Sequence, residues 1–180
     1  MTSTDEPDLA SQIDLLLRQV PDFPEPGVLF RDITPLLADG PAFARTIDAI
    51  AATAAEPVDL VVGIESRGFL LAAPVATTLG VGLALVRKAG KLPGPTMSES
   101  YTLEYGSATV EVHPFTVPAG ARVLVVDDVL ATGGTAAAAV RLLERCGAHV
   151  VQVTFLIELA ALDGRAKLPD VPMTSLLTLP

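Results

Sequence analysis

Two adjacent carboxylates, Asp127 and Asp128, are followed four residues later by the run Thr132-Gly133-Gly134-Thr135. Ionised carboxylates only accept hydrogen bonds and bind hard cations well, so sugar hydroxyls and Mg²⁺ are natural partners for the pair. Gly133 and Gly134 permit backbone angles that a side chain forbids, so successive N–H groups can turn toward one point, where Thr132 and Thr135 add hydroxyls. The helix predicted from Thr135 to Cys146 directs its positive dipole end and unpaired N–H groups at the same point, which favours a phosphate. Carboxylates at one end and a glycine turn at the other suit a ribose phosphate.

Positioning these groups is the work of Val123–Val126, a short run of Val and Leu that suits a strand buried on both faces of a parallel sheet. Asp127 and Asp128 then fall at its carboxyl end, where ligands bind in open α/β sheets. The rest of the chain alternates in the same way. Ile13, Leu16, Leu17 and Val20 predict a helix over residues 11–20, and Phe43, Ile47, Ile50 and Ala54 predict a second. Leu60–Ile64 reads as a buried strand, Gly68–Leu79 as its crossover helix and Leu83–Arg87 as the next strand. Residues 101–105 and 109–113 alternate around Gly106 and predict an antiparallel hairpin projecting from the sheet. Strands over His149–Leu156 and Ser175–Leu179 complete an α/β fold.

Composition restricts the function. At 180 residues, half of them hydrophobic, the chain can bury a sizeable core as one domain. A formal charge of −9 argues against nucleic acid or an anionic membrane as a partner, because both demand a basic face. Basic residues are nevertheless clustered: Arg87, Lys88 and Lys91 lie within five residues, directly after a predicted strand. The acidic start MTSTDEPDL lacks the blocks of a signal peptide, and Glu65, Ser66 and Arg67 interrupt the longest apolar stretch, so a cytoplasmic protein is expected. Cys146 is the only cysteine and reads as a small hydrophobe; His113 and His149 have no ligand-like spacing and read as structural.

Other segments narrow the reading. Pro21–Leu37, PDFPEPGVLFRDITPLL, has prolines and a glycine that stiffen a loop displaying Val28, Leu29, Phe30 and Arg31, a rigid apolar clamp for a flat base. The succession VLVVDDVLATGGT at Val123–Thr135 closely resembles the signature by which phosphoribosyltransferases bind phosphoribosyl pyrophosphate. With the clamp, VVGIESRGF at Val61–Phe69, RKAGKLPGP at Arg87–Pro95 and YTLEYG at Tyr101–Gly106, the chain is similar, from about residue 13 to 177, to the adenine phosphoribosyltransferases.

The resemblance implies a type I phosphoribosyltransferase fold: a central, mostly parallel twisted sheet flanked by helices, as one domain over residues 1–180, with an N-terminal helix and base-binding hood over 1–37 and a β-hairpin lid over 90–107. It implies transfer of the phosphoribosyl group from phosphoribosyl pyrophosphate to adenine, giving AMP and pyrophosphate, with Mg²⁺ carried by the substrate rather than in a protein cage. Asp127 and Asp128 would hold the ribose hydroxyls, and Ala131, Thr132, Gly133, Gly134 and Thr135 the 5′-phosphate. Pyrophosphate would meet Glu65, Ser66, Arg67, Gly68, Arg87, Lys88, Lys91 and Tyr105, with Arg67 and Lys88 neutralising it as it leaves. The Glu65–Ser66 peptide is expected to be cis. Glu104 would exchange a proton with an imidazole nitrogen of adenine, whose ring would lie on Phe30 among Val28, Leu29, Arg31 and Leu159. A homodimer is expected, with Arg87 a candidate to act across its interface. The competing readings are a phosphoribosyltransferase for another purine and a non-catalytic sensor of phosphoribosyl pyrophosphate; the clamp disfavours the first, and the absence of spare length or basic surface the second.

Overall fold

A computed structural model describes residues 8–102 and 106–180. Asp8 opens α1 (Leu9–Leu16), its carboxylate accepting from the Ser11 N–H at 3.0 Å, and the helix buries Ile13. This helix lies earlier than the periodicity of residues 11–20 predicts, because Val20 belongs to a strand. That strand, β1 (Arg18–Pro21), pairs antiparallel with β2 (Leu29–Asp32), so Val20 faces Phe30 and Pro21 faces Leu29. Leu17 is already extended, and Pro21 holds Val20, the residue before it, out of the helical region. The proline-rich stretch is thus a small hairpin rather than a loop alone. It leads into α2 (Thr34–Ala38) and α3 (Gly40–Ala51), each with proline in its first turn, where a missing N–H costs nothing.

The main sheet begins with β3 (Leu60–Ile64), all five residues of which are buried, and α4 (Gly68–Leu79) crosses to β4 (Gly82–Lys88). The hairpin β5 (Met97–Thr102) and β6 (Ser107–Val112) follows, then β7 (Arg122–Leu130), α5 (Gly134–Arg145), β8 (His149–Leu159) and β9 (Met173–Leu179). The strands lie in the order β5-β6-β4-β3-β7-β8-β9. The five from β4 to β9 are mutually parallel, whereas β6 runs antiparallel to β4. The hairpin therefore extends the sheet at its edge, through the pairs Arg87 with Glu111 and Lys88 with Val110.

Both faces of the sheet are covered. Val62, Val123 and Val125 face the side closed by α5, and Val61, Leu124 and Val126 the side closed by α3 and α4. Each fully buried Val or Leu contributes about 1.5–3 kcal/mol, so truncating a central residue such as Leu124 to Ala costs about 2–5 kcal/mol. From β3 the chain crosses to one side, to β4; from β7 it crosses to the other, to β8. The strand order reverses between β3 and β7, and a crevice opens there at their carboxyl ends.

Candidate active site

Asp127 and Asp128 lie near the carboxyl end of β7, 9% and 7% exposed. Burial raises the Asp127 carboxyl well above its ordinary range, and the charge of Asp128 adds to this. Its Oδ1 accepts the Asp128 N–H at 2.8 Å. The start of α4 presses on the same strand: a Cβ on Gly68 would stand 2.7 Å from Asp127 Oδ1 and 2.9 Å from the Val126 carbonyl oxygen. Glycine at 68 is therefore what lets the turn after β3 approach the acidic pair. Just before it, Arg67 Nε lies 2.7 Å from Asp128 Oδ2. That contact is a charge pair without hydrogen-bond alignment, so Oδ2 is a buried acceptor with no hydrogen-bond donor.

Beyond the pair, a cavity of about 90 Å³ is lined by Asp127, Val129 and the continuous run Leu130–Ala136. All five residues expected to bind the 5′-phosphate, Ala131 to Thr135, are in that wall. Gly133 takes φ +78° as the cap of α5, and its carbonyl accepts the Ala137 N–H at 2.9 Å, leaving the helix start facing the cavity. Gly133 also packs on Gly164 in the connection from β8 to β9: a Cβ on Gly133 would overlap the Gly164 carbonyl oxygen, and one on Gly164 the carbonyl oxygen of Ala131. A two-pronged ion pair, Arg165 Nε and Nη2 to Glu158 Oε1 and Oε2 at 2.6 Å each, fixes this connection to β8. Gly164 and Arg165 are absent from the sequence-based site, because a lone glycine between charged residues carries no motif signal.

A second cavity, of about 270 Å³, is lined by Val28, Leu29, Phe30, Arg31 and Leu159 together with Arg67, Asp128, Val129 and Ala131. All five residues expected to meet the base converge there, although they come from β2 with its approach and from the end of β8. Phe23 packs edge-on to Phe30, with ring centroids 5.0 Å apart. The Arg67 guanidinium carbon lies 4.9 Å from the Phe30 centroid, a cation–π contact. Arg67 therefore touches both the apolar pocket and the acidic pair.

The basic cluster lies at the carboxyl ends of β3 and β4, beside the turn that carries Arg67. The Glu65–Ser66 peptide is cis, as the resemblance implies. The Glu65 carboxylate, 8% exposed, meets Lys91 Nζ at 2.7 Å, the Lys88 N–H at 2.9 Å and Arg87 Nε at 3.4 Å. Burial alone would raise the pKa of Glu65, but those three partners overcome it and hold it at about 2. Arg87 Nη1 also donates to the Lys91 carbonyl at 3.1 Å. The Lys88 side chain is exposed and Ser66 lies at the surface. Glu104 and Tyr105 lie outside the described residues. Among the described residues no group of three or more His, Cys, Asp or Glu side chains is arranged to hold a metal ion, and no helix is long and apolar enough to cross a membrane. Cys146 is half-buried, with its Sγ 3.5 Å from Met97 Sδ, and His113 stacks on Phe115.

An apolar slot, a buried acidic pair and a cavity at the start of α5 thus follow one another along one crevice. Residues 36–175 match the phosphoribosyl transferase domain family, the class that this sheet and phosphate loop define. The adenine phosphoribosyltransferase of Thermobifida fusca is 54% identical over 176 residues, covering 95% of this chain and 98% of its own. The crystal structure of adenine phosphoribosyltransferase from Thermoanaerobacter pseudethanolicus aligns with a TM-score of 0.91 at 46% identity, over 94% of this chain and 99% of that one. That from Saccharomyces cerevisiae, complexed with adenine and an imino-altritol bisphosphate, aligns with a TM-score of 0.88 at 43% identity, over 94% and 98%. The chain belongs to the adenine phosphoribosyltransferase family.

Proposed function

We infer that this protein is a glycosyltransferase that moves the 5-phosphoribosyl group from phosphoribosyl pyrophosphate to adenine, giving AMP and pyrophosphate in purine salvage. One observation carries the reading: Val129 and Ala131 line both the phosphate cavity and the base cavity. A nucleoside monophosphate spans two such adjoining sites, with its sugar beside the acidic pair.

In this reading Asp127 and Asp128 accept hydrogen bonds from the ribose hydroxyls, and residues 131–135 surround the 5′-phosphate with N–H groups and hydroxyls. Adenine lies on Phe30, held by backbone groups of Leu29 and Arg31 at its edge, by Val28, and by Leu159 on the other face. The anomeric carbon is then fixed between the base and the departing diphosphate, and catalysis rests on positioning and charge stabilisation. Arg67 and Lys88, with Arg87, Lys91, Tyr105 and the N–H groups of Glu65–Gly68, neutralise the pyrophosphate. Glu104 takes up the proton that adenine loses, a role worth about 10²–10⁴-fold in rate. Residues 90–107 close over the site and keep water from the oxocarbenium-like sugar. Mg²⁺ carried by the substrate would supply positive charge to offset that of the leaving diphosphate, and the hard carboxylate oxygens of Asp127 and Asp128 would be suitable neighbours for it. The protein works in the cytoplasm as a homodimer.

The test supplies purified protein with Mg²⁺, phosphoribosyl pyrophosphate and, in parallel, adenine, hypoxanthine, guanine or xanthine, and resolves the products by anion exchange. AMP from adenine alone is expected. A different nucleotide overturns the assignment of the base, and no nucleotide from any base overturns the activity.

A further inference from the structure

The site assigned to a highly anionic substrate contains a buried carboxylate of its own. Glu65 is not displayed to solvent: its side chain is 8% exposed, its two oxygens accept from Lys91 Nζ and the Lys88 N–H, and Arg87 Nε stands 3.4 Å away as a charge partner without a hydrogen bond. All three partners belong to the segment Arg87–Lys91, which is also braced by the Arg87 bond to the Lys91 carbonyl and by the Gly90 N–H to Glu111 Oε2 at 3.1 Å. The cations that would receive a diphosphate are thus already arranged around an anion, which accepts two hydrogen bonds, from Lys91 Nζ and the Lys88 N–H, and has Arg87 in charge contact. Arg87 and Lys91 are 31% and 50% exposed, so the carboxylate serves less to offset their burial than to fix where the donors stand.

We propose that Glu65 is an internal stand-in for the diphosphate, holding Arg87, Lys91 and the Lys88 N–H in place in the free protein and yielding them when substrate binds. This rests on the assignment of those groups to pyrophosphate under the function inferred above. The exchange has a definite sign. Because pyrophosphate must compete with Glu65 for the same donors, the carboxylate weakens its binding and so speeds release of the product. A purely structural Glu65 has the opposite sign, since loosening its partners weakens binding.

The test is calorimetric titration of Mg²⁺-pyrophosphate into the wild-type protein and Glu65→Gln, alongside thermal melting of each. The glutamine keeps the shape and an acceptor for the Lys88 N–H but removes the charge. The variant is expected to bind pyrophosphate about tenfold more tightly, the size of one charge-assisted contact, and to be inhibited by it at correspondingly lower concentration. Unchanged or weaker binding by a folded Glu65→Gln overturns the proposal. If that variant does not fold, Glu65→Asp draws the carboxylate back by one methylene, and tighter binding is again expected, with unchanged or weaker binding again overturning it. A wild-type protein that does not bind pyrophosphate at all overturns the site assignment beneath the proposal, an outcome separate from the sign of the Glu65 effect.

Discussion

The hydroxyl of Thr135, in the first turn of α5, donates to the phenol oxygen of Tyr101 on β5 across 2.9 Å. The Tyr101 ring stands 3.1 Å from where a Cβ on Gly134 would be, so the hairpin leans on the backbone that forms the phosphate cavity. Arg141 and Arg145 of α5 strengthen the junction, reaching Glu99 at 2.9 and 2.7 Å. A threonine expected to meet phosphate is therefore already engaged by the hairpin.

Tyr101→Phe keeps the ring packing and removes only the acceptor. Losing one such hydrogen bond changes binding by about 0.5–1.5 kcal/mol, so the affinity for ribose 5-phosphate is expected to shift up to about tenfold while the melting temperature stays within a few degrees. Titration with ribose 5-phosphate alone checks this; an unchanged affinity removes Tyr101 from the phosphate site.

The acidic pair separates binding from stability. Asp128→Asn weakens phosphoribosyl pyrophosphate binding by about ten- to a hundredfold, the range for hydrogen bonds to a charged group, and leaves the fold intact. Asp127 follows a different pH logic. Its folded pKa is raised, first by burial and then by Asp128, so its stabilising contribution is present in full below the ordinary carboxyl value and is lost as pH rises through the folded one. Asp127→Asn is therefore expected to melt higher than wild type at pH 7, with the gain shrinking toward pH 4, even as activity falls. Melting curves across that window decide it, and a variant that melts lower at pH 7 contradicts the assignment.

Phe30→Ala removes the aromatic wall of the base cavity. Stacking of a base on an aromatic ring is worth about 1–3 kcal/mol, so KM for adenine is expected to rise about five- to a hundredfold with a much smaller change in KM for phosphoribosyl pyrophosphate. Steady-state kinetics with each substrate varied in turn separates the two.

Gly164→Ala places a methyl group against the Ala131 carbonyl and within 2.9 Å of Leu130 Cδ1. Overpacking of this kind costs about 1–3 kcal/mol, and a chain of this size loses about 2–4 °C of Tm per kcal/mol. Ribose 5-phosphate affinity falls with it, because Ala131 belongs to the phosphate wall. Melting and titration of the same sample provide the check.

Where sidedness or apolar periodicity was strong, the sequence was sufficient. Leu60–Ile64 and Gly68–Leu79 have the expected bounds because an unbroken apolar run and a helix ended by Gly80 at φ +68° leave few alternatives. Asp127–Asp128, residues 131–135 and Val28–Arg31 each gather at the crevice, since each group is contiguous in sequence. The β1–β2 hairpin was not legible: four-residue strands with mostly exposed or half-exposed positions show no alternation. Gly164 and the Glu158–Arg165 pair were equally hidden, because their role arises only when the β8–β9 connection folds back on a loop about thirty residues earlier. Asp128 lies on β7 and its Arg67 partner in the turn after β3, so only the three-dimensional fold brings them together.

Arg67 gives that last contact a wider meaning. One guanidinium spans the ring of Phe30 and the carboxylate of Asp128, which stand almost a hundred residues apart in sequence. Positions that share a partner do not act additively. Evolution is therefore not free to tune the base pocket and the sugar site one at a time: a substitution at residue 30 alters the setting in which residue 128 is selected, and the history of either position is written partly in the other.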